Sequence, residues 1–130
     1  MIDRDLEDRL IAEAFRSREN AVSKRSGFAV GAAIQAEDGR IFGGCNVENS
    51  TYGLTVCAER VAIWKALSEG VRKFRAVAVA TGADRPTPPC GACRQVLWEF
   101  AGDVPVVSAT TGGKRKSYRM ADLLPEPFEL

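Results

Sequence analysis

Cys57-Ala58-Glu59-Arg60 is answered downstream by Pro89-Cys90-Gly91-Ala92-Cys93, in a chain that contains no histidine. This pairing constrains the chemistry more than any other feature. A histidine general base, a Ser-His-Asp triad and every His-ligated metal are excluded. A catalytic metal here has to be held by sulfur and oxygen. Three thiolates with one open position match a catalytic zinc, whereas structural zinc sites close all four positions with protein ligands. The fold must then bring residue 57 and residues 90–93 together.

Both cysteine groups fall where a helix is expected to begin. A helix N-terminus carries about half a positive charge and free N–H donors, which favour thiolate over thiol. Cys90 and Cys93, three apart, share one face of a first helical turn, and Gly91 and Ala92 keep that turn uncrowded. Cys57 and Glu59, two apart, would point about 200° away from each other inside a helix. They can converge on one metal only if Cys57 sits at the cap with non-helical geometry. Three thiolates on Zn²⁺ leave one excess negative charge, which the two helix N-termini partly offset. Arg60 can hydrogen-bond a sulfur and withdraw more. A zinc-bound water with a pKa near ~7 is a usable nucleophile, and Glu59, close by without ligating, would move its proton. Read alone, Cys90 and Cys93 could be a thioredoxin-like dithiol, and Glu59 a helix N-terminal acid. The dithiol lacks the right local strand and leaves Cys57 and Glu59 unused. Cys45, following a strand, reads as a small buried hydrophobe.

Around these groups the periodicity predicts a helix from about Asp3 to Asn20, with Leu6, Leu10, Ile11, Ala14 and Phe15 on one stripe. A polar loop to Gly27 follows, in which Lys24 and Arg25 form a solvated turn. Strands are expected over Val30–Ala36 and Arg40–Cys45, joined by an Asp38-Gly39 turn. Gly43 and Gly44 mark a bulge or a close backbone approach. A helix from Cys57 to Gly70 and a strand over Arg75–Ala80, covered on both faces, come next. A third helix from Cys90 to Phe100 leads to a strand over Val104–Ala109, parallel to its predecessor by strand–helix–strand logic. A short strand near Arg115–Tyr118 and one or two helical turns over Met120–Leu124 complete the pattern. This order predicts an α/β fold of three α/β/α layers around a mixed sheet of about five strands, one domain over residues 1–130.

A formal net charge of +1 and few aromatic residues argue against a nucleic acid polymer as partner. No signal peptide and no membrane-length apolar run is visible, so the expectation is a cytoplasmic protein with reduced thiols.

The residues also spell a family. Phe28-Ala29-Val30-Gly31-Ala32, Gly44-Cys45-Asn46-Val47-Glu48-Asn49, Cys57-Ala58-Glu59-Arg60, Pro89-Cys90-Gly91-Ala92-Cys93-Arg94-Gln95 and Leu123-Leu124-Pro125 occur in one order. In that order they resemble the small homotetrameric zinc-dependent cytidine deaminases over nearly the whole chain. The resemblance implies hydrolytic deamination of cytidine or deoxycytidine. A zinc-activated hydroxide would attack C4, and Glu59 would protonate N3 and then the departing amine. It implies one Zn²⁺ per subunit on Cys57, Cys90 and Cys93. Asn46 and Glu48 would hold the ribose hydroxyls, Phe28 would pack on the sugar and base, and the backbone at Ala58 would read the pyrimidine edge. Phe128 would reach into a neighbouring subunit's site in a homotetramer. Family members commonly carry Pro-Tyr where Lys24 and Arg25 stand, so a bulkier or more anionic nucleoside becomes a possible substrate. Deamination of a modified cytosine nucleoside (blasticidin-like or N4-substituted) stays open. So does a non-catalytic, zinc-stabilised binding module.

Overall fold

A computed structural model describes residues 2–130. Helix α1 (Arg4–Arg18) starts at Asp3, whose carboxylate accepts the Leu6 amide, with acidic residues in its first turn and basic ones in its last. Strands β1 (Val30–Ala36) and β2 (Ile41–Cys45) form an antiparallel hairpin closed at Gly39, whose φ of +99° suits glycine. A short 3₁₀ turn over Tyr52–Leu54 precedes helix α2 (Ala58–Ser68). Strand β3 (Phe74–Thr81), helix α3 (Gly91–Ala101), strands β4 (Pro105–Thr110) and β5 (Arg115–Arg119), and helix α4 (Met120–Leu123) follow.

The five strands make one mixed sheet in the order β2-β1-β3-β4-β5. Only β3 and β4 pair in parallel, with Val79 opposite Ser108, joined through the α3 crossover. On one face α1 lays Leu6, Leu10, Ile11 and Ala14 over Ala33, Ala78 and Ala109. On the other, Ala62, Ile63 and Ala66 of α2, with Leu97 of α3, cover Ile34, Val77, Val79 and Val106. The predicted three-layer architecture is therefore borne out, and β3 is buried from Ala76 onward. Cys57 and Cys90 are helix caps, the position the sequence required of Cys57. One detail differs from the sequence reading. The sheet's irregularity falls at Gln35/Ala36, whereas Gly43 and Gly44 pair in unbroken register with β1.

The glycine signal at 44 is instead a close approach. A Cβ there would lie 2.6 Å from the Ala62 nitrogen and 2.7 Å from the Ala58 carbonyl oxygen. The first turns of α2 rest directly on the sheet, and this sets the depth at which Cys57 and Glu59 stand. Because the obstructing atoms are backbone, Gly44→Ala should lift α2 and destabilise the chain by about 1–3 kcal/mol. Thermal melting checks this against Gly53→Ala, where an added Cβ meets nothing within 4 Å. Equal melting temperatures in both variants would remove the close-approach argument.

Candidate metal centre and active site

Two helix N-termini converge at the ends of β1 and β3. Cys57 caps α2 with extended backbone (φ −75°, ψ 155°), and Cys90 caps α3 in the same way (φ −66°, ψ 167°). Neither sulfur serves as a side-chain cap, so both are free to turn away from their own helix. The cap geometry removes the 200° problem: Cys57 leaves the helical path just before Glu59 enters it. Cys93 comes from the first turn of α3 and is fully buried, Cys57 is half-buried, and Cys90 is exposed. The three sulfurs lie within 4.8 Å of one another, with Cys57 and Cys90 Sγ 3.8 Å apart. That spacing is far too long for a disulfide. It matches the sulfur–sulfur separation of about 3.8 Å that follows from Zn–S bonds of ~2.3 Å at tetrahedral angles. The donor set fits zinc in number, softness and spacing.

The surroundings are organised for negative charge on sulfur. Arg60 Nη2 donates to Cys57 Sγ at 3.3 Å. Without metal, hydrogen bonding from Cys93, then from Arg60 and Cys90, brings the Cys57 thiol down to about 5. Cys93 moves the opposite way, because it gives its proton to that hydrogen bond, is buried, and faces Glu59 and Cys57. Glu59 is only 5% exposed. Burial pushes its carboxyl up to about 7, with the neighbouring Cys57 charge adding to the effect.

These groups open on a cavity of about 240 Å³ whose walls include Phe28, Val30, Asn46, Glu48, Val79 and Thr87 along with Cys57, Ala58, Glu59 and Cys90. A carboxyl near neutrality beside three zinc-spaced sulfurs in a small, largely apolar chamber is suited to moving protons during attack by water.

Residues 4–109 match the family model described as the cytidine and deoxycytidylate deaminase zinc-binding region. The chain is 50% identical over 122 residues to the cytidine deaminase of Sporosarcina psychrophila, covering 93% of this chain and 90% of that one. It superposes on the crystal structure of cytidine deaminase from Burkholderia pseudomallei with a TM-score of 0.91 and 42% identity, over 98% of this chain and 100% of that one. It is also 31% identical over 104 residues to the blasticidin-S deaminase of Bacillus cereus, covering 74% of each. The chain belongs to the cytidine and deoxycytidylate deaminase family. Members share a zinc-binding region, and here zinc is the cofactor that the Cys57, Cys90 and Cys93 cluster is positioned to bind.

Other residues singled out from the sequence of this deaminase are placed unevenly. Phe28, Asn46, Glu48 and Ala58 all line the cavity. Asn46, however, is already heavily engaged. Its Oδ1 accepts from the Val30 amide and its Nδ2 donates to the Phe28 carbonyl, each at 2.9 Å, and to Glu48 Oε2 at 3.4 Å. Both amide protons and one lone pair are committed, leaving a single acceptor site for a ligand. Glu48 accepts from the Arg25 and Ser26 amides at 3.0 Å and from the Ser26 hydroxyl, which hold its carboxyl below the usual range, the Ser26 hydroxyl most of all. Lys24 and Arg25 are exposed, but their turn is more than solvated, because Arg25 is tied by its amide to Glu48 and by its guanidinium to Ser50. Phe128 is 69% exposed and lies outside the cavity lining of its own chain, with its carbonyl accepting from Gln95. Cys45 is half-buried and does not belong to the three-sulfur cluster.

Sequence reasoning gave no role to Thr87 or Arg94. Thr87 forms part of the cavity wall and is fixed by buried hydroxyls: Ser108 Oγ donates to its carbonyl at 2.8 Å, and Thr81 Oγ1 lies 3.3 Å from its own Oγ1. Arg94 clamps the loop into α3, donating to the Pro89 carbonyl at 2.7 Å and the Leu123 carbonyl at 2.8 Å. Arg94 stood within the Pro-Cys-Gly-Ala-Cys-Arg-Gln segment, so its place in the motif was a usable signal. Thr87 gave none, because its partners lie on β3 and β4, outside its own loop.

Proposed function

We propose that this chain catalyses hydrolytic deamination of cytidine and deoxycytidine, giving uridine and deoxyuridine with release of ammonia. The observation that carries it is Glu59, a buried carboxyl poised near neutrality at the wall of a nucleoside-sized cavity beside three zinc-spaced sulfurs. Zinc would be held by Cys57, Cys90 and Cys93, and the chemistry it supplies when bound is Lewis-acid activation of a water. Glu59 would accept the two protons that the attacking water brings, one at a time, on its carboxylate, passing the first to ring N3 and the second to the departing amine nitrogen. Its position between acid and base at neutral pH suits both steps. Arg60 offsets the charge of the Cys57 sulfur. Glu48 and the spare Asn46 acceptor receive the sugar hydroxyls, Phe28 packs against sugar and base, and the N-terminal turn of α2 at Ala58 reads the pyrimidine edge.

A second reading keeps the reaction and enlarges the substrate. A cavity of about 340 Å³ lined by Arg25, Ser26, Glu48, Tyr52 and Thr55 adjoins the first through Ser26, Glu48 and Thr55. This leaves room for a bulkier or anionic cytosine nucleoside. Assembly is proposed as a homotetramer in which Phe128 covers a neighbour's cavity. The exposure of Phe128, Tyr52 (75%) and Leu54 (64%) supports this. The reduced thiols that the site requires fit a cytoplasmic setting. No helix among the described residues is long and apolar enough to cross a membrane.

A panel of cytidine, deoxycytidine, cytidine monophosphate, N4-substituted cytidines and blasticidin S, followed by the absorbance change on deamination, tests both readings. Highest kcat/KM on the two unmodified nucleosides is expected. Preference for a substituted or phosphorylated compound selects the second reading, and no turnover of any member by zinc-loaded protein defeats both.

A further inference from the structure

Arg60 is anchored at one end only. Its Nη2 meets Cys57 Sγ, while its buried Nε has no hydrogen-bond partner among the described residues. Among the described residues no carboxylate or carbonyl fixes the inner edge of the guanidinium. What the group does meet is the side chain one turn further along α2: Arg60 Cζ lies 5.9 Å from the centroid of the Trp64 ring. Residues 57, 60 and 64 are spaced to share one helix face, so sulfur, guanidinium and indole follow one another along it. Trp64 itself is 44% exposed, while Ala62, Ile63 and Ala66 around it supply the core contacts of α2. The indole is therefore not committed to the hydrophobic core.

From this arrangement we infer that Trp64 is a positioning residue for Arg60, its ring face bearing the guanidinium and keeping Nη2 on the Cys57 sulfur. A planar, weakly hydrated guanidinium stacks well on an aromatic face, and tryptophan is the strongest such partner. An arginine held only by a thiolate has several rotamers that carry it into solvent. The indole removes most of them and shields the charged contact from water. The inference rests on the proposed role of Arg60 as the group that offsets thiolate charge at the metal.

The test uses full-length chain loaded with cobalt(II), whose thiolate-to-metal charge-transfer band reports electron density on the sulfurs. Arg60→Gln should move that band to lower energy. Trp64→Leu should move it in the same direction, by about half as far or more, while Trp64→Phe, which keeps an aromatic face, should stay near wild type. In the zinc-loaded protein, Trp64→Leu should lower kcat about three- to tenfold with KM within about twofold of wild type. The double variant should be no worse than Arg60→Gln alone. An unmoved band in Arg60→Gln overturns the role of Arg60 and removes the ground for Trp64 with it. A moved band in Arg60→Gln with an unmoved one in Trp64→Leu overturns the inference about Trp64 alone. If Trp64→Leu alters the association state and its loss adds in full to that of Arg60→Gln, Trp64 serves an interface and the inference is likewise overturned.

Discussion

Glu59→Gln should yield a folded protein that keeps its zinc and loses roughly 10²–10⁴-fold in kcat on cytidine. The amide has nearly the carboxyl's shape and can hydrogen-bond, but it cannot accept a proton from water and hand one on. Zinc content should not change, since the three sulfurs of the cluster do not include this residue. The same substitution makes a stability prediction for the metal-free protein. The folded Glu59 carboxyl sits at about 7 against an ordinary 4.5, because burial penalises its charged form. The folded state therefore binds that proton more tightly than the unfolded state. Wild-type stability from this group is fully present below the unfolded value and is lost as pH rises through the folded one. Glutamine has no such titration. The stability of the variant minus that of wild type, both chelated, should grow between roughly pH 5 and roughly pH 8, approaching about 3 kcal/mol at most. Denaturant melts at the two pH values measure the difference. A constant difference would contradict the buried, raised carboxyl, and undiminished turnover would remove Glu59 from the proton path.

Replacing any one of Cys57, Cys90 and Cys93 with serine should strip the zinc and lower turnover by more than roughly 10³-fold, since water activation depends on the metal. The three variants should nevertheless differ in stability. Cys90 is exposed, so a hydroxyl there meets solvent. Cys93 is fully buried, so serine there places a polar group where it must find a partner or cost about 1–3 kcal/mol. Cys57→Ser also leaves the Arg60 guanidinium without its thiolate. Metal analysis together with melting of each chelated variant separates these effects. A serine variant that keeps a full complement of zinc and wild-type turnover would take that cysteine out of the ligand set.

Much of the fold was readable because the relevant physics is local. The α1 stripe of Leu6, Leu10, Ile11 and Ala14, the Asp38-Gly39 turn and the uninterrupted Ala76–Ala80 run each announce an element through periodicity or turn chemistry. The parallel pairing of β3 with β4 followed from the helix between them. The glycines at 43 and 44 were harder. A missing Cβ signals crowding without saying what crowds it, and for Gly44 the neighbour is the backbone of α2. Asn46 shows the same limit at the site. Its type suits a sugar hydroxyl, yet most of its hydrogen-bonding capacity holds Phe28 and Val30 in place. Arg25 was read as a solvated turn because nothing nearby in sequence reveals the Glu48 carboxylate that receives its amide.

The sequence by itself determined the chemical inventory. With three grouped cysteines, one adjacent glutamate and no histidine, it favoured a sulfur-held metal with a carboxylate proton carrier over a redox dithiol. It also determined that each cysteine group stands at a helix start, because capping and turn preferences act over a few residues. Tertiary structure alone decided that these groups meet, with sulfurs within 4.8 Å, and that Glu59 is buried deeply enough to hold its proton near neutrality. Those outcomes depend on how closely α2 and α3 pack on the sheet and on which side chains exclude water. Such distances are set by contacts between residues far apart in the chain, and no local pattern encodes them.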